Sequence, residues 1–226
     1  MAGTPNQMPL IMKAIVKHDL EAFTNLYKGK EDLLLSYTIN SSYYSIVSLI
    51  CHLDSHKVFK NILIQILNVA ISNNISIESP SGDDIYQEGV CHWICTYRDI
   101  DVAKLMLNTP NVLINRLDKT YKTGPTLLSE VRDRSLVVEL IKLLIEKGFD
   151  INTQKNEDVP TLLESFISSI SINYDAVEFL INQGARTDAK HSKRINTAGE
   201  HFTLIEVVNQ GKNEKLKQIF QVGLNE

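Results

Sequence analysis

The stretch LVVELIKLLIEKGFDIN, Leu136–Asn152, decides how the rest of the chain is read. Val137, Leu140, Ile141, Leu144 and Ile145 recur at helical spacing, which predicts one apolar helical face. Gly148 follows as the expected left-handed terminator, because a residue without Cβ enters that backbone region at little cost. The same design returns in YDAVEFLINQGARTD, Tyr174–Asp188, with Gly184 in the terminator place. Each helix is preceded by the tetrad PTLL, at Pro125–Leu128 and Pro160–Leu163, which are 35 residues apart. An internal repeat of this period means stacked helical units, each unable to bury its apolar face alone.

These residues resemble the ankyrin repeat, whose unit is about 33 residues. Lys142-Leu143-Leu144-Ile145-Glu146-Lys147-Gly148-Phe149-Asp150-Ile151-Asn152 is similar to the second half of that unit, and so is Phe179–Asp188. The resemblance extends to Gly89-Val90-Cys91-His92-Trp93-Ile94-Cys95, where Cys91 stands in the leucine slot and His92 in the histidine slot. Met106 and Leu107 then follow at the offset at which Leu143 and Leu144 follow Leu128. That offset yields six anchors, Ile11, Val47, Cys91, Leu128, Leu163 and Ile205, spaced 36, 44, 37, 35 and 42 residues apart. The third to fifth units match well and the others are degenerate. The family's Thr-Pro-Leu-His turn is intact nowhere. The two long spacings imply insertions near Ser72–Tyr86 and His191–Phe202.

The expected fold is therefore all-α: one ankyrin-like solenoid with short β-turn fingers. Its units run near 8–40, 44–86, 89–122, 125–157, 160–196 and 201–226. A HEAT-like array is the rival, and the glycines followed by extended polar stretches favour ankyrin-like fingers. Polar Gly3–Gln7 and the amphipathic Gly211–Glu226 read as end caps, so the expectation is a complete short solenoid without an F-box-like extension.

Composition narrows the function classes. Of 226 residues, 43% are hydrophobic and 22% charged, which suits a packed core rather than disorder. The net charge of −4 argues against nucleic acid as a partner. No apolar run reaches the roughly 18 residues of a membrane span, and the N-terminal stretch does not read as a secretory signal. Three cysteines without framework spacing fit a reducing compartment.

Cys91 and Cys95 lie four apart on one helical face and with His92 could supply three soft ligands, but a zinc site wants a fourth, and Cys51 is one unit away. In the repeat register all three cysteines take small buried slots, so core packing is the reading preferred. The resemblance makes His92 a structural histidine that bonds backbone, and Trp93 is read as packing. Ser79–Asp84 lacks the spacing of a Ca²⁺ loop. No phosphate loop, nucleophile elbow or His-Glu-x-x-His is present.

The family binds partners through the concave face and finger tips. The expected concave positions are Lys17, His52, Leu53, Thr96, Tyr97, Asp133, Arg134 and Ser168. Tyr97 and Arg134 are the contacts expected there, joined by Tyr121 on one finger and by Lys190, Lys193 and Arg194 in a basic loop. The resemblance thus implies a monomeric, non-catalytic protein-binding module without cofactor or metal. The roles it fits are cytoplasmic adaptor, occluding inhibitor, or host-directed effector working in a host cytosol. The alternatives are an enzyme or a nucleic-acid binder built on the long insertions.

Overall fold

A computed structural model describes residues 8–27, 37–39, 42–78 and 88–222. Two compact units divide the chain, Met1–Lys119 and Thr120–Glu226.

In the first unit, helices α1 (Met8–Val16) and α2 (Leu20–Tyr27) pair, followed by α3 (Ile46–Leu53) with α4 (Lys60–Ser72) and α5 (Val90–Tyr97) with α6 (Ile100–Leu107). First helices stack on first helices, α1 on α3 and α3 on α5, and α4 packs on α6. Most of these helices have eight or nine residues, too short to persist alone in water, so stacking supplies their stability. Strands β1 (Tyr37–Ile39) and β2 (Ser42–Tyr44) form an antiparallel finger between the first and second pairs, with Tyr37 opposite Tyr44.

The second unit opens with a 3-10 helix, Gly124–Glu130, where an α-helix is expected. Local chemistry accounts for the tighter winding. Pro125 sits at its start, and the hydroxyls of Thr126 and Ser129 donate to carbonyls three residues back, at 2.7 and 2.9 Å. Helices α7 (Arg134–Glu146), α8 (Leu162–Ile167) and α9 (Tyr174–Asn182) follow. The 3-10 helix packs on α8, and α7 on α9. The second expected insertion is an ordered hairpin, β3 (Lys190–Ile195) with β4 (His201–Thr203), set against α10 (Leu204–Gln210). Helix α11 (Glu214–Val222) closes the unit against α9 and α10. The first expected insertion falls largely on residues 79–87, outside the described residues, as does the segment Ser79–Asp84.

The anchors behave as the repeat register requires. Ile11, Val47, Cys91 and Leu128 are fully buried and Leu163 nearly so. Ile205 is the exception. It lies two residues past a threonine N-cap, as Leu163 does, but is only half-buried, and Leu204 takes the fully buried place. Both terminator glycines are left-handed, Gly148 at φ +93° and Gly184 at φ +87°. Each is followed by the same closing bond, Phe149 N–H to the Leu144 carbonyl and Ala185 N–H to the Leu180 carbonyl. Asn152 links successive fingers: its amide donates to the Gly184 carbonyl at 3.1 Å and its oxygen accepts the Arg186 N–H at 2.9 Å. Ser45, Asp99, Asp133, Thr161, Asn173 and Thr203 each cap a helix N-terminus through a side-chain oxygen.

Candidate functional site

An open groove of about 500 Å³ lies within the second unit. One wall is the 3-10 helix, through Thr126, Leu127, Ser129 and Glu130, with Lys122 just before it. The facing wall is the start and inner face of α8, through Pro160, Glu164, Ser165 and Ser168. The hairpin closes one side with His191, Ser192 and Lys193. Three consecutive strand residues reaching one groove departs from the alternation of a regular strand. The pairing of β3 with β4 is irregular between Lys190 and Ile195, which permits it. The groove exists because serine and threonine stand at helix positions where larger side chains would fill the space. Leu127 is 43% exposed and gives it an apolar patch.

Glu164 organises the side wall. It is 2% exposed, and both its oxygens accept the Ser192 N–H, at 3.0 and 3.1 Å. The Ser192 hydroxyl also donates to Glu164 Oε1, and the Glu164 N–H donates to the Thr161 hydroxyl that caps α8. A buried carboxylate is tolerated only when hydrogen-bonded in this way. His191 Nδ1 accepts the Lys193 N–H at 3.1 Å, which requires the unprotonated nitrogen, and lies 3.2 Å from Glu164 Oε1. Burial holds the His191 imidazole below the usual histidine range; the Glu164 carboxylate pulls the other way, and Arg194 and Lys193 reinforce the lowering. His201 Nδ1 donates to the His191 carbonyl at 2.8 Å.

This cluster fastens the hairpin to α8. The Ser192 hydroxyl gives its proton to the Glu164 carboxylate. Among the described residues no hydrogen bond joins that hydroxyl to an imidazole. Nor, among the described residues, is any group of three or more His, Cys, Asp or Glu placed to hold a metal ion. None of the described helices is long and apolar enough to cross a membrane.

The residues picked from the sequence scatter. Tyr97 differs most from expectation: it is 4% exposed, and its hydroxyl reaches Asp54 Oδ2 at 3.4 Å, beneath the Lys57 ammonium. Asp54 is itself buried and accepts the N–H groups of Val58 and Phe59, each at 2.8 Å, so Tyr97 belongs to the packing that joins α3 to α5. Burial, then the nearby Asp54 charge, pushes its phenol up. Arg134 is exposed at the start of α7, away from the groove lining. Tyr121 is 44% exposed with φ +63°, and the Lys155 ammonium lies 3.0 Å above its ring. That ammonium holds the Tyr121 phenol below its usual range.

The basic segment is a strand rather than a loop. Lys190 donates to the His201 carbonyl at 3.0 Å, Lys193 lines the groove, and Arg194 is exposed beside it. All three cysteines are buried free thiols, and burial pushes the Cys51 and Cys95 thiols up. His92 is 1% exposed, and its Nδ1 accepts the Gly89 N–H at 3.4 Å; Trp93 is 1% exposed. Sequence reasoning missed Glu164, Ser192, Leu127 and Lys122. The first unit has a smaller concavity of about 370 Å³, between α1 and α2 and lined by Leu10, Lys13 and Lys17 among others.

No protein-family model matches the chain, and no curated protein matches it. Two solved structures resemble it over nearly its whole length. The ankyrin repeat domain of Bcl-3, described as a unique member of the IkappaB protein family, is 16% identical with a TM-score of 0.60, covering 96% of this chain and 85% of that one. The ankyrin repeat protein EF0377 is 12% identical with a TM-score of 0.62, covering 94% of this chain and 96% of that one. The chain thus has the ankyrin-repeat fold, as its internal repeat leads one to expect.

Proposed function

We propose that this chain is a non-catalytic protein-interaction module whose groove, between the 3-10 helix, α8 and the β3–β4 hairpin, receives a segment of a partner protein. The observation that carries this reading is the groove itself. Small hydroxyl residues open it, Glu164 fixes one wall, and Leu127 lies 43% exposed in its lining. A wall held by buried hydrogen bonds loses little conformational freedom when a ligand docks, so more of the contact energy remains as affinity. The reading covers stoichiometric roles: adaptor, occluding inhibitor, or effector directed at a host protein. It places the chain in the cytoplasm, or in a host cytosol, as a monomer forming one domain.

The enzyme and nucleic-acid readings find less support. Ser192 is bonded as a structural hydroxyl, and the groove lining holds Glu130 and Glu164 without a Phe, Tyr or Trp side chain for base stacking. The test is selection of peptides from a displayed random 12-mer library on the full chain. Leu127→Glu serves as the groove variant, and far-UV circular dichroism checks its fold. Peptides that bind the wild type and lose binding on Leu127→Glu support the reading. Peptides that bind both equally move the site elsewhere.

A further inference from the structure

We infer that His191 is a proton-operated latch on the β3 wall of the groove: on taking a proton at Nδ1 it releases the Lys193 N–H, turns to Glu164 and frees the wall at Lys193. Its effect on a ligand rests on the groove being the binding site, whereas the latch itself does not.

The pairing of β3 with β4 leaves this stretch dependent on side chains. Lys190 pairs with Thr203 and Ile195 with His201, and the register is irregular between them. Within the irregular stretch three backbone groups are held by titratable residues. Glu164 accepts the Ser192 N–H, the His191 ring accepts the Lys193 N–H at 3.1 Å, and His201 Nδ1 donates to the His191 carbonyl at 2.8 Å. The three respond differently to acid. His201 bonds through an N–H, which a protonated ring keeps. Glu164 has two oxygens on the Ser192 N–H, so one still accepts if the other is taken. Only His191 holds its donor through a lone pair that a proton removes. The same Nδ1 lies 3.2 Å from Glu164 Oε1. Unprotonated, it accepts from Lys193 and faces the carboxylate lone pair to lone pair. Protonated, it donates to the carboxylate in a charge-assisted bond and can no longer accept. One nitrogen cannot serve both neighbours. The freed N–H belongs to an exposed residue and can turn to water, so the change stays local.

The surroundings of the ring set the direction. Burial opposes the proton most; Glu164 of α8 favours it, and Arg194 and Lys193 on β3 oppose it. Lys190, at the start of β3, is engaged with the His201 carbonyl. His201 of β4 bonds the His191 backbone, and its Nε2 lies 3.8 Å from Asp158. The 3-10 helix brings Glu130, and Lys122 just before it, to the same groove. On α10, packed against β3, the acid is Glu206, which is engaged with Thr203. The folded-state pKa of His191 is lowered from the unfolded value of about 6.5. The closed, neutral latch therefore contributes fully above that value, and its contribution is lost as pH falls through the folded one.

The test is two-dimensional NMR of the full chain from about pH 7.5 to about pH 5, following both histidine rings and the amides of Ser192 and Lys193. The His191 ring and the Lys193 amide should shift together, with one midpoint below the usual histidine range. Protection of the Lys193 amide, corrected for the intrinsic pH dependence of exchange, should fall by up to about tenfold, the worth of one hydrogen bond, while that of Ser192 is kept. His191→Asn offers an acceptor to the N–H two residues on and takes no proton, so it should remove the pH dependence. Its urea midpoint at neutral pH checks the fold, and if it does not fold the wild-type midpoints decide alone. A His191 ring that stays neutral throughout, a Lys193 amide indifferent to it, or an amide change that follows the His201 ring overturns the inference. So does pH dependence that persists in His191→Asn. A selected peptide that is lost on Leu127→Glu should bind more weakly below the same midpoint, and unchanged affinity overturns control of the groove. If Leu127→Glu leaves binding intact, the groove reading fails, and the latch is judged on the amides.

Discussion

Removing the Glu164 carboxylate by Glu164→Ala tests whether the hairpin is held to α8 as described. Ser192 is 8% exposed, so its N–H, now bonded at 3.0 and 3.1 Å, is left buried without an acceptor. A buried unpaired donor costs about 1–3 kcal/mol. The Ser192 hydroxyl loses the same acceptor but can rotate, so it adds less. Lost packing of the removed methylene adds about 0.8 kcal/mol, and removal of a buried charge offsets part of the sum. The expected loss is about 2–3 kcal/mol, a large share of the about 5–15 kcal/mol typical of a folded domain. Glu164→Gln keeps one carbonyl oxygen as acceptor, and its expected cost is about half as large. The assay is urea unfolding followed by far-UV circular dichroism, because the single tryptophan, Trp93, reports on the other unit. Amide exchange at Ser192 gives the local readout. An Ala variant within about 0.5 kcal/mol of wild type, with Ser192 still protected, would refute the claim that Glu164 fastens the hairpin.

Other substitutions separate the forces at work. Gly89→Ala should destabilise by about 2–3 kcal/mol in urea. Its backbone is ordinary, but a Cβ there would stand 2.2 Å from Glu78 Oε1 and 2.9 Å from Arg116 Cδ, inside the buried Glu78–Arg116 pair. Gly148→Ala meets no atom within 4 Å yet should cost about 1 kcal/mol in the same assay, because φ +93° is unfavourable for any residue with a Cβ. Asp99→Ala should cost about 1 kcal/mol at neutral pH through the lost cap on Val102 N–H, with Lys60 at 2.8 Å adding little because it is partly solvated. Burial works against the Asp99 charge, but Lys60 and the Val102 N–H outweigh it and hold the carboxyl below its usual range. A depressed folded-state pKa stabilises above the unfolded value of about 4 and loses that contribution as pH falls through the folded value. The gap between wild type and Asp99→Ala should therefore close in acid, as read from urea midpoints across that range.

What the sequence made legible was whatever depends on local pattern. The helical spacing of Val137, Leu140, Ile141 and Leu144 is a buried face, and Gly148 and Gly184 end their helices with the left-handed turn that glycine favours. The cysteines occupy buried slots because the repeat register places them there. The groove was less legible because it depends on tertiary pairing. Glu164, three residues past a capping threonine, looks like an ordinary first-turn acid. Its partner Ser192 lies 28 residues later, in a segment whose polar sequence gives no alternation to announce a strand. Tyr97 was misplaced because counting past the small slots assumes that every unit turns the same residue outward. Here Asp54, from the preceding unit, draws its hydroxyl inward. The hydroxyl-rich runs around Thr126–Ser129 and Ser165–Ser169 were the one available hint that these helix faces leave space unfilled.

The central claim is that a partner segment lies in the groove of the second unit. Its most direct test is photo-cross-linking with benzoylphenylalanine in place of Leu127, in the groove, or of Glu139, exposed on α7. A peptide selected on the wild type serves as ligand. The account predicts a covalent adduct from position 127 and none from position 139, with the adduct competed away by unlabelled peptide. Cross-linking from position 139 with none from position 127 would contradict it and place the partner on the exposed face of α7.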